Sequence, residues 1–252
     1  MAKLIFGDTS ARNVLVQMVD DHDLSVIENE VSLIREFAGV DFFLITIKVN
    51  SWNHDLSPWD APVVFGDESF GNGAADTLKV ILDELGEIDH NKKYFIGGYS
   101  LAGLFALWSV YQTEIFSGAA AASPSIWFPG FRNYMEGHEI LTKAVYLSRG
   151  DREERTRNPI MSTVGDRIRE AYETLNGSGV DCMLEWNKGN HFKEPDLRTA
   201  KAFAWVMSRT KALGDSMKRM DGRQFGKKYK NPIFASFYTQ ISLRSCPNHG
   251  NT

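Results

Sequence analysis

Apolar residues recur along the chain with two kinds of spacing. Some segments have the pattern typical of strands, and others have the pattern typical of helices. Short β-rich or continuously apolar runs predict strands at 14–19, 41–49, 92–98, 116–123, 143–150 and 180–187. Segments whose apolar residues recur with helical spacing predict helices at 25–38, 74–85, 101–112, 158–176 and 196–210. Strands that alternate with helices of this length predict an α/β fold, with a mostly parallel central sheet and helices on both faces.

A long segment between the strand at 41–49 and the helix at 74–85 is rich in proline, glycine and asparagine, which predicts a loop. Ligands of open α/β sheets bind beyond the carboxyl ends of the strands. The loops that follow the strands are therefore the expected place for functional residues.

The composition narrows the classes of partner. With a net charge of −4 and a pI near 5.9, the chain lacks the basic excess that indicates nucleic-acid binding. No apolar run reaches the ~20 residues that span a bilayer, and the N-terminal segment lacks the apolar stretch of a signal peptide. The two cysteines, Cys182 and Cys246, do not form a metal-ligand spacing. We therefore expect a soluble, cytoplasmic protein without a membrane or nucleic-acid partner.

Charge is concentrated at the C-terminal end of the chain. Residues 211–252 contain eight Lys and Arg residues and two Asp residues, which gives this segment a net charge of +6. The sequence therefore predicts a catalytic domain at 1–210 and a basic, partly disordered extension at 211–252. The extension either lies in solvent or binds an acidic partner, and a solvated surface is the more common case.

The segment GYSLAG, residues 98–103, lies where a predicted strand meets a predicted helix. It fits the G-x-S-x-G pattern of a nucleophile elbow, except that Ala102 replaces the second glycine and Gly103 follows it. Ser100 is either a small residue suited to a tight turn or a nucleophile that the turn exposes. Its place between strand and helix favours the nucleophile.

A nucleophilic serine needs donors that hold the oxyanion of the reacting group. The N–H of Leu101, at the start of the following helix, is one predicted donor, since N–H groups there have no intrahelical partner. The other is expected from the loop after the preceding central strand, where Asn50, Ser51 and Trp52 are the candidates.

A serine hydroxyl is nearly inert at neutral pH without a base. His191 lies in a polar loop between the last predicted strand and the last helix, as the order serine, acid, histidine requires. The acid should follow the preceding strand, where Asp151, Glu153 and Glu154 are available. We choose Glu153, because strand–Gly–x–x–acid is a common placement, although each of the three could instead neutralise neighbouring arginines.

Four stretches in this order, GYSLAGLFALW, FSGAAAASPSIWFPGF, VYLSRGDREERTRN and GNHF, resemble an esterase family of the α/β-hydrolase superfamily. That family includes enterobactin-type siderophore esterases, esterase D-like enzymes and feruloyl-type carbohydrate esterases. The resemblance covers about residues 41–207 and implies an α/β-hydrolase fold, with nucleophile, acid and base at Ser100, Glu153 and His191. The segment 53–59 lacks the arginine that the family often carries there.

These residues together predict a serine hydrolase that cleaves a small-molecule carboxylic ester through an acyl-enzyme, without a metal or organic cofactor. Aromatic residues that follow predicted strands, Trp52 and Trp127 among them, either line an apolar pocket at the mouth of the site or cover the edge of the core. Two alternatives stay open: an acyltransferase with the same triad, and a non-catalytic binding protein on the hydrolase fold.

Overall fold

A mixed sheet forms the centre of the molecule. The computed structural model describes residues 1–217, with side chains to residue 209. Within them, seven strands form one sheet: β1 (Ala2–Gly7), β2 (Asn13–Val19), β3 (Phe42–Lys48), β4 (Lys93–Tyr99), β5 (Phe116–Ala122), β6 (Ala144–Gly150) and β7 (Asp181–Asn187). Their order is β1-β3-β2-β4-β5-β6-β7, and each neighbouring pair is parallel except β1 with β3. The mostly parallel sheet that the sequence pattern predicts is confirmed.

Helices cover both faces of this sheet. In chain order they are α1 (Asp21–Ala38), α2 (Trp52–Asp55), α3 (Ala74–Leu85), α4 (Ser100–Ser109), α5 (Phe131–Gly137), α6 (Val164–Gly177) and α7 (Pro195–Met217), with a 3-10 turn at Met161–Thr163. The apolar residues of α3, α4, α5 and α6 belong to one core, and those of α1 and α7 belong to the core on the opposite face. The sheet is therefore the middle layer of an α/β/α sandwich.

The alternation of side chains along a strand divides the two cores. In β2, Val14 and Val16 pack into the core that contains α4, whereas Leu15 packs into the core that contains α1. The helix α4 has almost no polar residues, and it is buried along nearly its whole length. A central parallel sheet covered on both faces requires such continuously apolar segments.

Local signals set the ends of α1. Asp20 caps its first turn by accepting a hydrogen bond from the Asp23 N–H, and the Asp23 carboxylate accepts from the Asp20 N–H in return. The helix ends at Gly39, whose φ of 58° lies in the left-handed region that glycine adopts without strain.

Five elements differ from the sequence-based expectation in existence or in bounds. β1 and α5 are not predicted, and the long loop after β3 contains the short helix α2. The helix predicted to begin at 158 begins at Val164, because a 3-10 turn precedes it. The last helix does not end at residue 210 but runs to Met217.

The basic extension predicted for 211–252 lies, from residue 218 on, outside the residues that the structure describes. The domain boundary at 210 accordingly stays a prediction. Among the helices of residues 1–217, none is long and apolar enough to cross a membrane.

Candidate active site

Three loops meet beyond the carboxyl ends of the parallel strands. Ser100 directly follows β4, Glu153 follows β6 by three residues, and His191 follows β7 by four. Because these strands are parallel and lie in one half of the sheet, their carboxyl ends share one edge. The fold therefore brings together three side chains that are far apart in the sequence.

Ser100 lies on a sharp turn between strand and helix. Its φ of 57° is in the left-handed region, which costs a non-glycine residue on the order of 1–3 kcal/mol and is found mainly at functional sites. The helix α4 begins at this residue. The strand-to-helix turn that the GYSLAG pattern predicts is present, and its conformation projects the serine side chain out of the sheet edge.

The glycines of this segment allow α4 to lie close to the sheet. A Cβ at Gly98 would come within 2.7 Å of the Ala102 Cβ. A Cβ at Gly103 would lie 2.9 Å from the Gly98 carbonyl oxygen and 3.1 Å from that of Ala122. In this chain the close approach to the neighbouring strand occurs at Gly103, so the buried Ala102 fits where the pattern has a glycine.

Hydrogen bonds join the three side chains in a row. His191 Nε2 lies 3.0 Å from Ser100 Oγ, and His191 Nδ1 lies 3.0 Å from Glu153 Oε2. With the proton on Nδ1, the imidazole donates to the carboxylate and accepts from the serine hydroxyl. This is the arrangement in which a base can deprotonate a serine while an acid fixes its tautomer.

The other two acidic candidates have different partners. Asp151 Oδ1 accepts a hydrogen bond from the Gly189 N–H at 2.8 Å. Glu154 Oε2 pairs with Arg149 Nη1 at 3.0 Å. Each of them supports a loop, and Glu153 is the acid in contact with His191.

The surroundings of Glu153 favour its charged form. Burial by itself raises the pKa of this carboxyl, but the hydrogen bond and charge of His191, together with donors from the Gly150 N–H and the Ser123 hydroxyl, outweigh burial and hold the pKa below its ordinary value. Its side chain is 4% exposed, so water contributes little to its solvation. A fixed, ionised carboxylate therefore faces the imidazole.

A buried arginine connects the acid with the neighbouring loops. Arg198, on α7, places Nη1 2.9 Å from Glu153 Oε1 and 2.9 Å from the Tyr99 hydroxyl. Its Nη2 donates to the Asn190 carbonyl oxygen at 3.0 Å. Tyr99 donates its hydroxyl proton to the His191 carbonyl oxygen at 2.6 Å. Burial raises the pKa of this phenol to about 12, so it stays protonated and remains a donor.

The predicted oxyanion donors are only partly available. The backbone N–H groups of Asn50 and Ser51 donate to Asp55 Oδ2 at 2.9 and 3.0 Å, and they are therefore engaged with that carboxylate. Neither backbone N–H is therefore free to bind an oxyanion in this structure, and the assignment of an oxyanion donor in this loop stays a prediction. Trp52 is the first residue of α2, and Leu101 lies in the uncapped first turn of α4, positions whose N–H groups lack intrahelical acceptors.

A second serine contacts the first. Ser125 Oγ lies 3.4 Å from Ser100 Oγ, and the Ser125 N–H donates to the Ser100 carbonyl oxygen at 3.0 Å. Ser125 is 2% exposed. Its hydroxyl is therefore shielded from water and lies within hydrogen-bond distance of Ser100 Oγ.

Aromatic side chains occupy the loops of this edge. Trp127 is buried and packs edge-on against Phe65 and Phe70, with ring centroids 5.9 and 6.1 Å apart. It belongs to the core edge, one of the two roles expected for it. Phe192, which the sequence analysis does not single out, is 86% exposed and lies edge-on to the His191 ring at 5.6 Å.

Sequence reasoning missed the residues that support the site. No sequence motif marks these supporting residues, which are Arg198, Tyr99, Ser125 and Asp55. For Arg198 a signal exists, since it precedes the buried Ala202 by four residues and so lies on the apolar stripe of its helix.

Comparison with known proteins agrees with this architecture. No family model matches the sequence, and no curated protein matches it either. An IroE-like serine hydrolase from Shewanella oneidensis superposes with a TM-score of 0.67 at 14% identity, over 96% of this chain and 82% of that one. The chain has the α/β-hydrolase fold.

Two further solved structures support the same fold. The siderophore hydrolase EstA from Aspergillus nidulans superposes with a TM-score of 0.55 at 20% identity, covering 82% of this chain and 85% of that one. A carboxylesterase from Bacillus cereus gives a TM-score of 0.53 at 17% identity, covering 82% of this chain and 93% of that one. On this α/β-hydrolase fold, the loops after β4, β6 and β7 carry the residues described above.

Proposed function

We propose that this protein is a serine hydrolase that cleaves carboxylic esters through an acyl-enzyme. The observation that carries the proposal is the row of hydrogen bonds from Ser100 through His191 to Glu153, each 3.0 Å long. The nucleophile lies on a strained strand-to-helix turn, as the chemistry requires. The similar solved proteins include serine hydrolases and a carboxylesterase, which supports the same reaction class.

In the proposed reaction each of the three residues has its own role. His191 Nε2 accepts the Ser100 proton as Oγ attacks the acyl carbonyl carbon, and the imidazolium that forms is stabilised by Glu153. The imidazolium then protonates the leaving alcohol as the carbon–oxygen ester bond breaks. Water, deprotonated by the same imidazole, attacks the acyl-enzyme and releases the acid with regeneration of the serine hydroxyl.

The oxyanion of both tetrahedral intermediates would be held by the N–H of Leu101 and the N–H of Trp52. Both belong to first turns of helices, whose dipoles favour negative charge. Loss of one such donor typically lowers kcat by ~10²–10³-fold. No step in this scheme calls for a metal ion or an organic cofactor.

We infer that the substrate is a small-molecule ester with an apolar part. One of the similar solved proteins is a siderophore hydrolase, and this substrate is named for that protein and not for this chain. In this chain, the exposed ring of Phe192 beside His191 offers an apolar surface to a bound ester. The cytoplasm stays the predicted location.

The decisive experiment compares Ser100→Ala with a matched serine variant on the same helix. Ser109→Ala also removes one hydroxyl from α4, but this hydroxyl donates to the Phe105 carbonyl oxygen and not to the site. We expect Ser100→Ala to abolish hydrolysis of p-nitrophenyl acetate and butyrate, and Ser109→Ala to retain it. Full turnover in Ser100→Ala would refute the mechanism.

A fluorophosphonate probe separates the alternatives. Labelling of Ser100 in the wild-type protein, lost in Ser100→Ala, is the expected result. Absence of labelling would favour a non-catalytic binding protein. If labelling occurs but added alcohol takes up the acyl group in place of water, the protein is an acyltransferase.

A further inference from the structure

Arg198 is a buried charged residue beside the three side chains of the candidate site. Its side chain is 1% exposed, and its Nη1 lies 2.9 Å from Glu153 Oε1 and 3.2 Å from Ser123 Oγ. A charged side chain is rarely so buried unless it is paired. The pair that it forms is with the acid of the proposed triad.

The two oxygens of Glu153 have separate sets of partners. Oε2 faces His191 Nδ1, whereas Oε1 accepts from Arg198, from the Ser123 hydroxyl and from the Gly150 N–H. With Oε1 held by three donors, the carboxylate cannot rotate to offer Oε1 to the imidazole. The guanidinium also bonds the Asn190 carbonyl oxygen, in the residue before His191, so one planar group connects the acid loop with the base loop.

Charge adds a second effect. While His191 is neutral, Arg198 and Glu153 form a pair with no net charge, so the imidazolium that forms during turnover is stabilised less than it would be beside a lone carboxylate. The positive charge of Arg198 therefore works against a second positive charge on the imidazole. A base that stays unprotonated to lower pH keeps the serine activated there.

Other charged groups do not replace this arginine. Tyr99, on β4, faces both Arg198 and Glu153 but is a neutral phenol. In the base loop, Lys193 lies 3.9 Å from Glu194. In the acid loop, Asp151 and Glu154 have the partners described above. Within residues 1–209, the cationic contacts of the Glu153 carboxylate are His191 and Arg198.

We propose that Arg198 is a positioning residue of the hydrolase, which orients Glu153 toward His191 and lowers the pH at which this pair takes up a proton. The inference rests on the proposed function only for its kinetic readout. Titration of His191 by NMR tests it independently of turnover.

The kinetic test uses Arg198→Met, Arg198→Lys and a matched control. Arg149→Met removes another fully buried arginine, one that pairs with Glu154 and not with Glu153. We expect kcat/KM of Arg198→Met to fall by ~10²-fold, as misplaced catalytic groups do, and the acid limb of its pH–rate profile to move to higher pH. Arg198→Lys keeps the positive charge but lacks the planar guanidinium with its several N–H donors. We therefore expect kcat to fall while the acid limb stays near that of wild type. Arg149→Met should leave the limb unmoved.

Arg198→Met leaves the Glu153 carboxylate buried without its arginine partner, and this variant could fail to fold. A second pair of variants therefore tests the same proposal. Glu153→Gln and the double variant Glu153→Gln/Arg198→Met contain no buried unpaired carboxylate. The His191 ring should take up its proton at higher pH in the double variant than in Glu153→Gln, because a nearby positive charge has been removed.

The outcomes separate the two claims. An unmoved acid limb in Arg198→Met, or equal His191 titrations in the second pair, would overturn the effect of charge. Wild-type kcat in Arg198→Lys would overturn the orienting role. A wild-type protein that neither turns over esters nor reacts with a fluorophosphonate would refute the proposed function, and the His191 titrations would still decide the role of Arg198.

Discussion

Tyr99 holds the backbone of His191: its hydroxyl donates to the His191 carbonyl oxygen at 2.6 Å, and the two rings lie 5.1 Å apart. Tyr99 is the last residue of β4, directly before Ser100. The turn that carries Ser100 and the loop that carries His191 are therefore connected by one side chain. The position of the His191 backbone relative to Ser100 is thus tied to a residue of the central sheet.

Removal of this hydroxyl should loosen the base loop. We expect Tyr99→Phe to lower kcat on the order of 10-fold, with little change in KM, because the imidazole is less often in line with Ser100. Tyr94→Phe is the matched control, since Tyr94 lies on the same strand and its hydroxyl accepts from the Asp89 N–H far from the site. Equal kcat values for the two variants in a p-nitrophenyl ester assay would contradict this role.

Asp55 should matter for oxyanion binding without touching the substrate. Its carboxylate fixes the loop after β3 by accepting from the N–H groups of Asn50 and Ser51. Asp55→Ala leaves both amides without an acceptor, and we expect kcat to fall ~10-fold to 10²-fold as the Trp52 N–H loses its position. Asp55→Asn retains an acceptor oxygen and should keep most of the activity. Undiminished kcat in Asp55→Ala would exclude this loop from the oxyanion site.

The hydroxyl of Ser125 should assist the nucleophile. It lies 3.4 Å from Ser100 Oγ and is shielded from water, so it can donate to the charge that develops there. We expect Ser125→Ala to lower the rate of fluorophosphonate labelling by ~10-fold, the value of one hydrogen bond to a charged group. The backbone bond to the Ser100 carbonyl oxygen stays intact in this variant, so its melting temperature should change little. Unchanged labelling would limit Ser125 to a structural role.

The exposed ring of Phe192 should contribute to substrate affinity. We expect Phe192→Ser to raise KM several-fold for p-nitrophenyl butyrate and less for the acetate, because a longer acyl chain covers more of the ring. Stability should not change, since the side chain is 86% exposed. Phe37→Ser, at an exposed phenylalanine on α1, serves as the control and should leave both KM values unaltered. A parallel rise for both esters would argue against contact with the acyl chain.

A buried acid on α1 makes stability depend on pH. Burial, and then the charge of Asp23, raise the pKa of Glu30 well above its ordinary value, and burial together with Asp20 raises that of Asp23 to about 6. The folded chain therefore retains these protons to higher pH than the unfolded chain, and stability is lost as the pH rises above the unfolded-state values. Glu30 contacts the buried Gln17, whose Nε2 lies 3.4 Å from its carboxylate.

Glu30→Gln should remove the loss of stability at higher pH that the Glu30 carboxyl causes. We expect the variant to be more stable than wild type in thermal unfolding at pH 8 and to differ little at pH 5, with the difference growing by up to about 1.4 kcal/mol per pH unit between them. Glu28→Gln changes an exposed acid on the same helix and is the matched control. An equal difference at both pH values would show that Glu30 is charged in the folded protein.

Most of the fold could be predicted because the strands β2 to β6 are largely buried and the long helices are amphipathic or fully apolar. β1 escaped prediction because its residues are exposed apart from Phe6, so the sequence carries no one-sided pattern; its strand conformation arises from pairing with β3. α5 is short, and its N-cap Gly130 gives no side-chain cap.

That Ser100, Glu153 and His191 meet could be predicted, because the proposed chemistry requires these residue types in a fixed order. The hydrogen bonds between backbone groups and side chains outside this pattern could not be predicted. Nothing in the order of residues shows that Asp55 takes up the N–H groups of Asn50 and Ser51. Similarly, the spacing to Ala202 places Arg198 on the apolar stripe of its helix, but the sequence does not show that its partner is Glu153.

The spread of these groups along the chain determines when activity can arise during biosynthesis. Tyr99 and Ser100 leave the ribosome first, Glu153 later, and His191 and Arg198 only with the loop after β7 and with α7. In the proposed mechanism Ser100 has no base until His191 is in place. We therefore expect ester turnover by this mechanism to appear late in maturation, and in refolding to lag behind the recovery of helical circular dichroism.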